Sequence, residues 1–286
     1  MSASIRHGST RGRSGDIAPP GGAESGGVEL LPLFDAHCHF DFPEFDGRRE
    51  SILARFDAEG ILGLVIPGVR QADWSRVCQT VRGDSRLSYC LGIHPWFVTE
   101  HDQSALVALE RRLSEQDSSL VALGECGLDA LKPDLERQSV FFDAQIRLAK
   151  ALNLSLVIHS VRMHDDVFAM LNRARFEAAF LVHGFSGSYE QAYRFARRGG
   201  FIGVGGVITH QRAQKTRDAI SRLPLSCLVL ETDAPDMPPA GIEAGHNSPL
   251  ALRRIFEALC GLRPETSAVL AGALLDNVRR LYRGKP

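Results

Sequence analysis

Eight short apolar runs recur along the chain, and a longer amphipathic stretch follows each of them. Near-continuous apolar runs are typical of parallel strands buried on both faces, and the stretches between them supply the covering helices. Eight such units over about 250 residues predict an α/β fold of the (β/α)8 TIM-barrel type. The runs cover residues 31–37, 61–67, 87–93, 119–125, 154–159, 178–183, 200–206 and 226–232.

A doubly wound open sheet is the main alternative fold. Such a sheet usually carries a glycine-rich turn after its first strand, but here His37-Cys38-His39 occupies that place. Helices are predicted most clearly over residues 134–152, where the apolar positions share one face, and over residues 249–260. The second of these begins with Ser248 as a candidate N-cap and a proline in its first turn.

Residues 1–30 differ in composition from the rest of the chain. They contain seven Gly, five Ser and two Pro, and they offer few apolar side chains to bury. Such a segment cannot offset the entropy lost on ordering, so we expect a disordered N-terminal extension. The barrel is expected to occupy residues 31–286 as a single domain.

The overall charge and hydropathy exclude several classes of protein. A formal net charge of −1 is not that of a protein that coats nucleic acid through charge alone. The net charge does not exclude a local basic groove. No apolar run approaches the roughly 20 residues of a membrane span, and the N-terminus lacks the apolar core of a signal peptide. Six cysteines without a paired spacing suit reduced, mostly buried thiols, and we therefore expect a cytoplasmic protein.

Histidines and acidic residues cluster where the predicted strands end. In a barrel, the carboxyl ends of the strands face one common cleft, so these side chains are expected to meet. Strand alternation places His37 and His39 on one face and Cys38 on the other. The residues at strand ends are His37, His39, His94, Glu125, His159, His183 and Asp233.

Imidazole and carboxylate groups together suit divalent cations such as Zn, Mn, Fe, Ni or Co. Taken singly, a histidine at a strand end is more often a hydrogen-bonded structural residue, and Asp233 could simply form a turn before Pro235. Four histidines with two carboxylates exceed the needs of one catalytic metal that keeps an open position. Two metals that share Glu125 as a bridge would use the whole set.

The motifs FDAHCHFDF, LGIHPW, LGECGLD, LVIHS, LVHGFSGS, IGVGG and VLETDAPDMP, in this order, resemble the TatD family of metal-dependent deoxyribonucleases in the amidohydrolase superfamily. The resemblance runs from about Phe34 to Tyr282 and touches every predicted strand. It implies that one divalent metal is held by four residues: His37, His39, Glu125 and Asp233. It implies that the second is held by Glu125, His159 and His183. The metal could be Zn, Mg, Mn, Ni or Fe.

The resemblance also suggests substrate contacts. His94 would lie beside the scissile phosphate, and Arg162 and Asn247 are further candidates. The chain departs from the family pattern in two places. Val161 stands where relatives commonly have Arg, and His246 stands next to Asn247 where relatives often have a basic residue. Basic residues after the seventh strand could bind phosphate or simply form a solvated helix face; they are Arg212, Lys215 and Arg217.

Aromatic residues near the histidine motifs could stack on the bases of a single strand or could be ordinary core residues. They are Phe40, Phe42, Trp96 and Phe97. Glu231 lies two residues before Asp233 and shares its face, so we expect it to be structural or to accept a hydrogen bond from a ligand histidine.

The leading hypothesis is a phosphodiesterase that cleaves DNA with a metal-bound hydroxide as nucleophile, and a 3′ exonuclease is one form of it. Asp233 is the expected proton acceptor and Glu125 the second catalytic carboxylate. The alternative keeps the metals and changes the bond to an amide or ester, as in a deacylase that acts on aminoacyl-tRNA. A metal-stabilised binding module is the non-enzymatic alternative. No obligatory protein partner and no membrane association are expected.

Deletion of residues 1–30 should leave activity and melting temperature nearly unchanged, because this segment has little apolar surface to pack. Thermal denaturation and turnover of the two forms measure this. A drop of several degrees on deletion would show that the segment docks on the barrel.

Overall fold

The computed structural model describes residues 30–115 and 117–284. The expected extension over residues 1–30 therefore lies outside the described residues, apart from Leu30 at its end. None of the described helices combines the length and the apolar character needed to cross a membrane.

Eight parallel strands form one sheet in the order β1 to β8. Each strand pairs with the next along the chain, so every connection crosses over outside the sheet. The predicted barrel is confirmed, and each predicted apolar run overlaps one strand, although β2, β4 and β5 extend beyond their predicted runs. The strands are β1 Leu33–Asp35, β2 Ile61–Gly68, β3 Leu87–Leu91, β4 Leu120–Asp129, β5 Ser155–Val161, β6 Phe180–Val182, β7 Gly200–Val204 and β8 Leu228–Leu230.

The helices pack outside the strands, with their apolar faces against them. In order they are α1 Arg49–Leu53, α2 Phe56–Glu59, α3 Trp74–Arg82, α4 Gln103–Leu113, α5 Leu135–Ala151, α6 His164–Arg173, α7 Tyr189–Ala196, α8 Gln214–Arg222, α9 Leu252–Cys260 and α10 Ser267–Leu281. Short 3-10 helices cover Pro43–Phe45, Gln71–Asp73, Pro95–Glu100, Gly206–Thr209, Leu225–Cys227 and Pro249–Ala251.

Both helices singled out from the sequence are present. The helix expected over 134–152 is α5, whose Phe142, Ile146 and Ala149 are fully buried. The helix expected over 249–260 begins as a 3-10 turn and continues as α9. Ser248 does occupy its N-cap position, but its side chain makes no capping hydrogen bond.

The interior of the barrel is a small second core beneath the strand ends. Every strand contributes at least one side chain to it, and apolar residues of α10, with Tyr282 directly after that helix, close the bottom. The Tyr282 hydroxyl donates to the Ala36 carbonyl at 2.8 Å. Because this layer fills the lower barrel, the polar residues at the carboxyl ends of the strands are confined to the upper mouth.

The barrel closes between β1 and β8 through backbone and side-chain hydrogen bonds. The Ala36 amide donates to the Leu230 carbonyl at 2.8 Å. The buried Asp35 carboxylate accepts from the Thr232 amide at 2.9 Å and from the Thr232 hydroxyl at 2.6 Å. Burial raises the pKa of Asp35 to about 7 despite these hydrogen bonds. We call this contact between β1 and β8 the seam; its side-chain hydrogen bonds all go to the one buried carboxyl group of Asp35.

Thr232→Val should lower the free energy of unfolding of the metal-free protein by about 1–3 kcal/mol, because Asp35 loses a buried donor. Urea denaturation in the presence of a chelator measures the change. Thr80→Val is the matched control, since the Thr80 hydroxyl donates only to the Arg76 carbonyl one helical turn away. Equal effects of the two substitutions would contradict this role for the seam.

Candidate metal centre

The carboxyl ends of the strands bring all seven singled-out side chains to one place at the mouth of the barrel. Glu125 lies within β4 and His159 within β5, while the others lie one to four residues after their strands end. All of them are buried except His159, whose side chain keeps 12% of its surface exposed. Cys38 points away from this group into the outer core, as strand alternation predicts.

Local backbone geometry aims Glu125 into the mouth. The pairing register between β4 and β5 shifts between Leu123 and Cys126, so the strand is irregular at Glu125 itself. A side chain at Gly124 would place its Cβ 2.6 Å from that of Val157, and a side chain at Gly127 would lie 2.0 Å from the His159 carbonyl oxygen. Only glycine on both sides of Glu125 allows β5 to approach this closely.

The Glu125 carboxylate lies between two groups of side chains, one at each oxygen. Its Oε1 atom contacts a ring nitrogen of three histidines: His94 Nε2 at 3.0 Å, His159 Nδ1 at 3.0 Å and His183 Nε2 at 2.6 Å. Its Oε2 atom faces two others: His37 Nε2 at 3.4 Å and His39 Nε2 at 3.5 Å. One carboxylate with a separate histidine group at each oxygen has the form of a bridge.

The first group is built from His37, His39 and Asp233 around Glu125 Oε2. The two histidine Nε2 atoms lie 3.3 Å apart, and Asp233 Oδ1 lies 3.2 Å from one and 3.5 Å from the other. Glu125 Oε2 and Asp233 Oδ1 are buried without a hydrogen-bond partner among the described residues. Buried acceptors that converge without donors are costly unless a cation lies between them. The donor set therefore fits a divalent metal.

The second group lies at Glu125 Oε1 and contains His159, His183 and His94. His159 is held from behind, because its Nε2 atom lies 3.2 Å from Asp129 Oδ2 while its Nδ1 atom faces Glu125. A carboxylate behind a histidine is the usual arrangement that orients a metal ligand. Ring nitrogens of His94 and His159 and an oxygen of Glu125 lie close enough together to hold one ion.

Hydrogen bonding decides which nitrogen of His94 carries its proton. The Nδ1 atom accepts from the Trp96 backbone amide at 3.1 Å, so in the neutral ring the proton is on Nε2. Burial, with the nearby His159 and His183, lowers the pKa of His94 to about 4 and keeps the ring neutral. His94 therefore presents an N–H donor to the mouth rather than a lone pair, which suits a substrate contact better than a metal ligand.

The two central carboxylates are ionised. Burial by itself would raise their pKa values, but the surrounding histidines outweigh it and hold the pKa of Glu125 and that of Asp233 well below the usual range. Burial likewise opposes charge on His159, yet hydrogen bonds to Asp129 and Glu125 raise its pKa to about 9. Without a metal, protonated histidine supplies the positive charge, so a bound cation would displace that proton.

Two roles were expected for Glu231, and its hydrogen bond is to the backbone rather than to a ligand histidine. Its Oε1 atom accepts from the Gly184 amide at 2.6 Å, directly after His183. Burial raises the pKa of Glu231 to about 8, which favours the neutral carboxyl near pH 7. Glu231 thus fixes the backbone that carries His183 and is structural.

Two of the three expected substrate contacts are not among the residues that line the cavity. Arg162 is exposed, adopts φ 56°, and does not line the cavity. Asn247 is buried, and its amide donates to the Thr232 carbonyl at 3.0 Å and the Asp236 carbonyl at 2.6 Å. Both amide hydrogens of Asn247 are therefore used to hold the loop after β8, and none remains for a phosphate.

The cavity above the centre has a volume of about 270 Å³ and mostly apolar walls. Of the aromatic residues singled out, three line it and one does not: Phe42, Trp96 and Phe97 do, whereas Phe40 is fully buried in the core. Phe42 stacks on His39 with ring centroids 4.6 Å apart. Neither lysine nor arginine occurs among the residues that line this cavity, and Arg212, Lys215 and Arg217 are not among them.

Sequence analysis missed Asp129, the residue behind His159. Its carboxylate also accepts from the Trp96 indole N–H at 2.6 Å, and thereby joins the metal centre to the rim of the cavity. The signal was present, because Asp129 ends the LGECGLD motif four residues after Glu125 and alternation places both on one face.

Comparison with known proteins agrees with this geometry. The family model described as TatD related DNase matches residues 34–283. The chain belongs to the TatD family. It is 42% identical over 255 residues to the Escherichia coli metal-dependent hydrolase YjjV, covering 88% of this chain and 98% of that protein. The crystal structure of YjjV superposes with a TM-score of 0.85 at 41% identity, over 89% of this chain and 99% of that one.

A more distant relative carries a more specific name. The chain is 29% identical over 262 residues to a protein from Erwinia tasmaniensis named 3′-5′ ssDNA/RNA exonuclease TatD, over 87% of this chain and 99% of that protein. Taken with the family match, these relatives identify the protein as a metal-dependent hydrolase.

Addition of Zn²⁺ or Mn²⁺ to chelator-treated protein should raise the melting temperature by several degrees, because the buried carboxylates gain a partner in the folded state alone.

Elemental analysis should find about two equivalents of metal, and His159→Ala should lower that number without unfolding the barrel. His246→Ala is the control, since His246 is exposed on the loop after β8. At most one equivalent under saturating supply would exclude two metals.

Proposed function

We propose that this protein is a phosphodiesterase that uses two divalent cations to cleave single-stranded DNA from its 3′ end. The observation that carries the proposal is the division of the Glu125 carboxylate between two histidine groups at the floor of one cavity. The exonuclease name of the relative from Erwinia tasmaniensis supports this choice of substrate.

The ligand assignment follows the two groups. His37, His39 and Asp233 with Glu125 would hold one cation, and His159 and His183 with Glu125 would hold the other. When bound, such cations withdraw charge from phosphoryl oxygens and lower the pKa of a nearby water. Asp129 would keep His159 in the orientation and tautomer that binding requires.

Asp233 is the proposed proton acceptor. Its pKa lies below the usual range, so it is ionised at neutral pH and free to take a proton from the attacking water. Its Oδ1 atom faces His37 and His39, while Oδ2 accepts no hydrogen bond from the described residues. One carboxylate can therefore bind at Oδ1 and accept a proton at Oδ2.

His94 and the walls of the cavity would orient the substrate. The Nε2–H of His94 points toward Glu125 Oε1, and once a cation binds that oxygen the same N–H would donate to a phosphoryl oxygen beside it. The apolar walls, which include Phe42, Phe97 and Met237, would exclude bulk water and strengthen these polar contacts. A cavity of about 270 Å³ suits the end of a chain better than a strand that passes through, which favours exonuclease action.

A second function has one observation in its favour. The cavity is lined by neither lysine nor arginine, and a site of this kind need not bind a polyanion. The alternative is hydrolysis of an amide or ester by the same centre, such as removal of an acyl group from aminoacyl-tRNA. Metal-reconstituted protein assayed in parallel on labelled single-stranded DNA, bis-p-nitrophenyl phosphate and simple esters and amides distinguishes the two. Turnover confined to esters or amides would exclude the phosphodiesterase.

Asp233→Asn should reduce turnover of the best phosphodiester substrate by about 100-fold or more, the usual scale for loss of a general base. Its metal content should fall less than that of Glu125→Gln, which removes the bridge and should empty or displace both cations. Asp236→Asn is the control, because Asp236 also lines the cavity but belongs to neither group. Near-full turnover by Asp233→Asn would contradict its role as proton acceptor.

A further inference from the structure

Trp96 is an exposed aromatic side chain fixed at the edge of the cavity. It keeps 46% of its surface accessible while it lines the cavity. Large aromatic rings are usually more buried than this unless they meet a partner. Trp96 lies two residues after His94, in the 3-10 helix Pro95–Glu100, and the sequence therefore places it beside the metal centre.

The orientation of the Trp96 ring is fixed relative to the metal centre. The indole N–H donates to Asp129 Oδ2 at 2.6 Å, and the same oxygen lies 3.2 Å from His159 Nε2. Asp129 is itself held, because its amide donates to Gln138 Oε1 at 2.8 Å and its Oδ1 accepts from the Leu131 amide at 2.8 Å. The ring centroids of Trp96 and His159 are 6.2 Å apart. The Trp96 ring therefore packs edge-on beside a side chain of the metal centre.

A lysine lies against the same ring. Lys132 Nζ is 4.0 Å from the centroid of the Trp96 ring, a cation–π contact. No carboxylate of the described residues forms an ion pair with Lys132, so its charge is available to a ligand. The residues that line the cavity include neither lysine nor arginine, so Lys132, held against Trp96 outside that lining, is the cation that we place at this rim.

We propose that Trp96 and Lys132 form a nucleotide subsite, in which a base of the substrate stacks on the indole and the ammonium pairs with a backbone phosphate. Asp129 is the positioning residue that sets the distance from this subsite to the metal centre. The inference rests on the proposed function and adds to it the side chains that select single-stranded nucleic acid over a small phosphodiester. Stacking requires an unpaired base, so the terminal unit of a duplex is excluded until it frays.

The test is a comparison of Trp96→Ala and wild type on 3′-labelled oligonucleotides with and without an abasic residue at each of the two 3′-terminal positions. Loss of a stacked base costs about 5- to 150-fold in binding. We expect Trp96→Ala to raise KM by this factor on the complete oligonucleotide and by much less on one of the abasic oligonucleotides. Trp96→Phe should recover most of the loss, because it retains a ring. Equal effects of Trp96→Ala on all the oligonucleotides would overturn the subsite.

The phosphate contact is tested through salt dependence. Lys132→Ala should make the slope of log KM against log salt concentration smaller by about 0.7, the value for one phosphate contact on a single strand. Lys150→Ala is the matched control, because Lys150 donates to the Ala174 carbonyl on the outside of the barrel. An unchanged slope in Lys132→Ala would remove the lysine from the subsite.

The two proposals fail in distinguishable ways. Cleavage of bis-p-nitrophenyl phosphate and DNA with no coupling between Trp96 and a base would leave the proposed function standing and overturn the subsite. Absence of any phosphodiester cleavage would overturn the proposed function. In that case fluorescence anisotropy measures binding of the same oligonucleotides to Trp96→Ala and wild type, and the difference in binding replaces the difference in KM. Absence of binding by wild type would overturn the subsite as well.

Discussion

The rest of this structure depends on one carboxylate buried among five histidines. Glu125 is 1% exposed, and burial of an anion is costly unless positive charge or donors surround it. Both oxygens of Glu125 face ring nitrogens, and those nitrogens come from four different strand ends. The barrel therefore has to close correctly for the carboxylate to be compensated, and the compensated carboxylate in turn orders the mouth of the barrel.

This constraint explains why the seam between β1 and β8 is built from polar groups. Asp35 and Thr232 hold the first and last strands together just below His37 and Asp233. A shift of one residue in either strand would turn these side chains to the opposite face. The tightly packed interior layer below them, closed by α10 and by Tyr282 directly after it, keeps the polar groups at the level of the cavity floor.

Much of this arrangement could be predicted from the sequence, because it depends on local patterns. The barrel follows from the alternation of apolar runs and helices, and the convergence of His37, His39, Glu125, His159, His183 and Asp233 follows from their places at strand ends. Contacts between distant segments were not predictable in the same way. The Asn247 amide holds the loop after β8 because two carbonyls face it, and Phe40 is fully buried in the core. The hydrogen bonds that join Trp96, Asp129 and His159 likewise need the three-dimensional arrangement.

The central claim is that Glu125 bridges two cations, and anomalous diffraction from crystals grown with Mn²⁺ or Zn²⁺ tests it most directly. The account predicts two anomalous peaks, one on each side of the Glu125 carboxylate. One should lie among His37, His39 and Asp233, and the other beside His159 and His183, with Asp129 retained behind His159. A single peak, or two peaks of which neither contacts Glu125, would contradict the account.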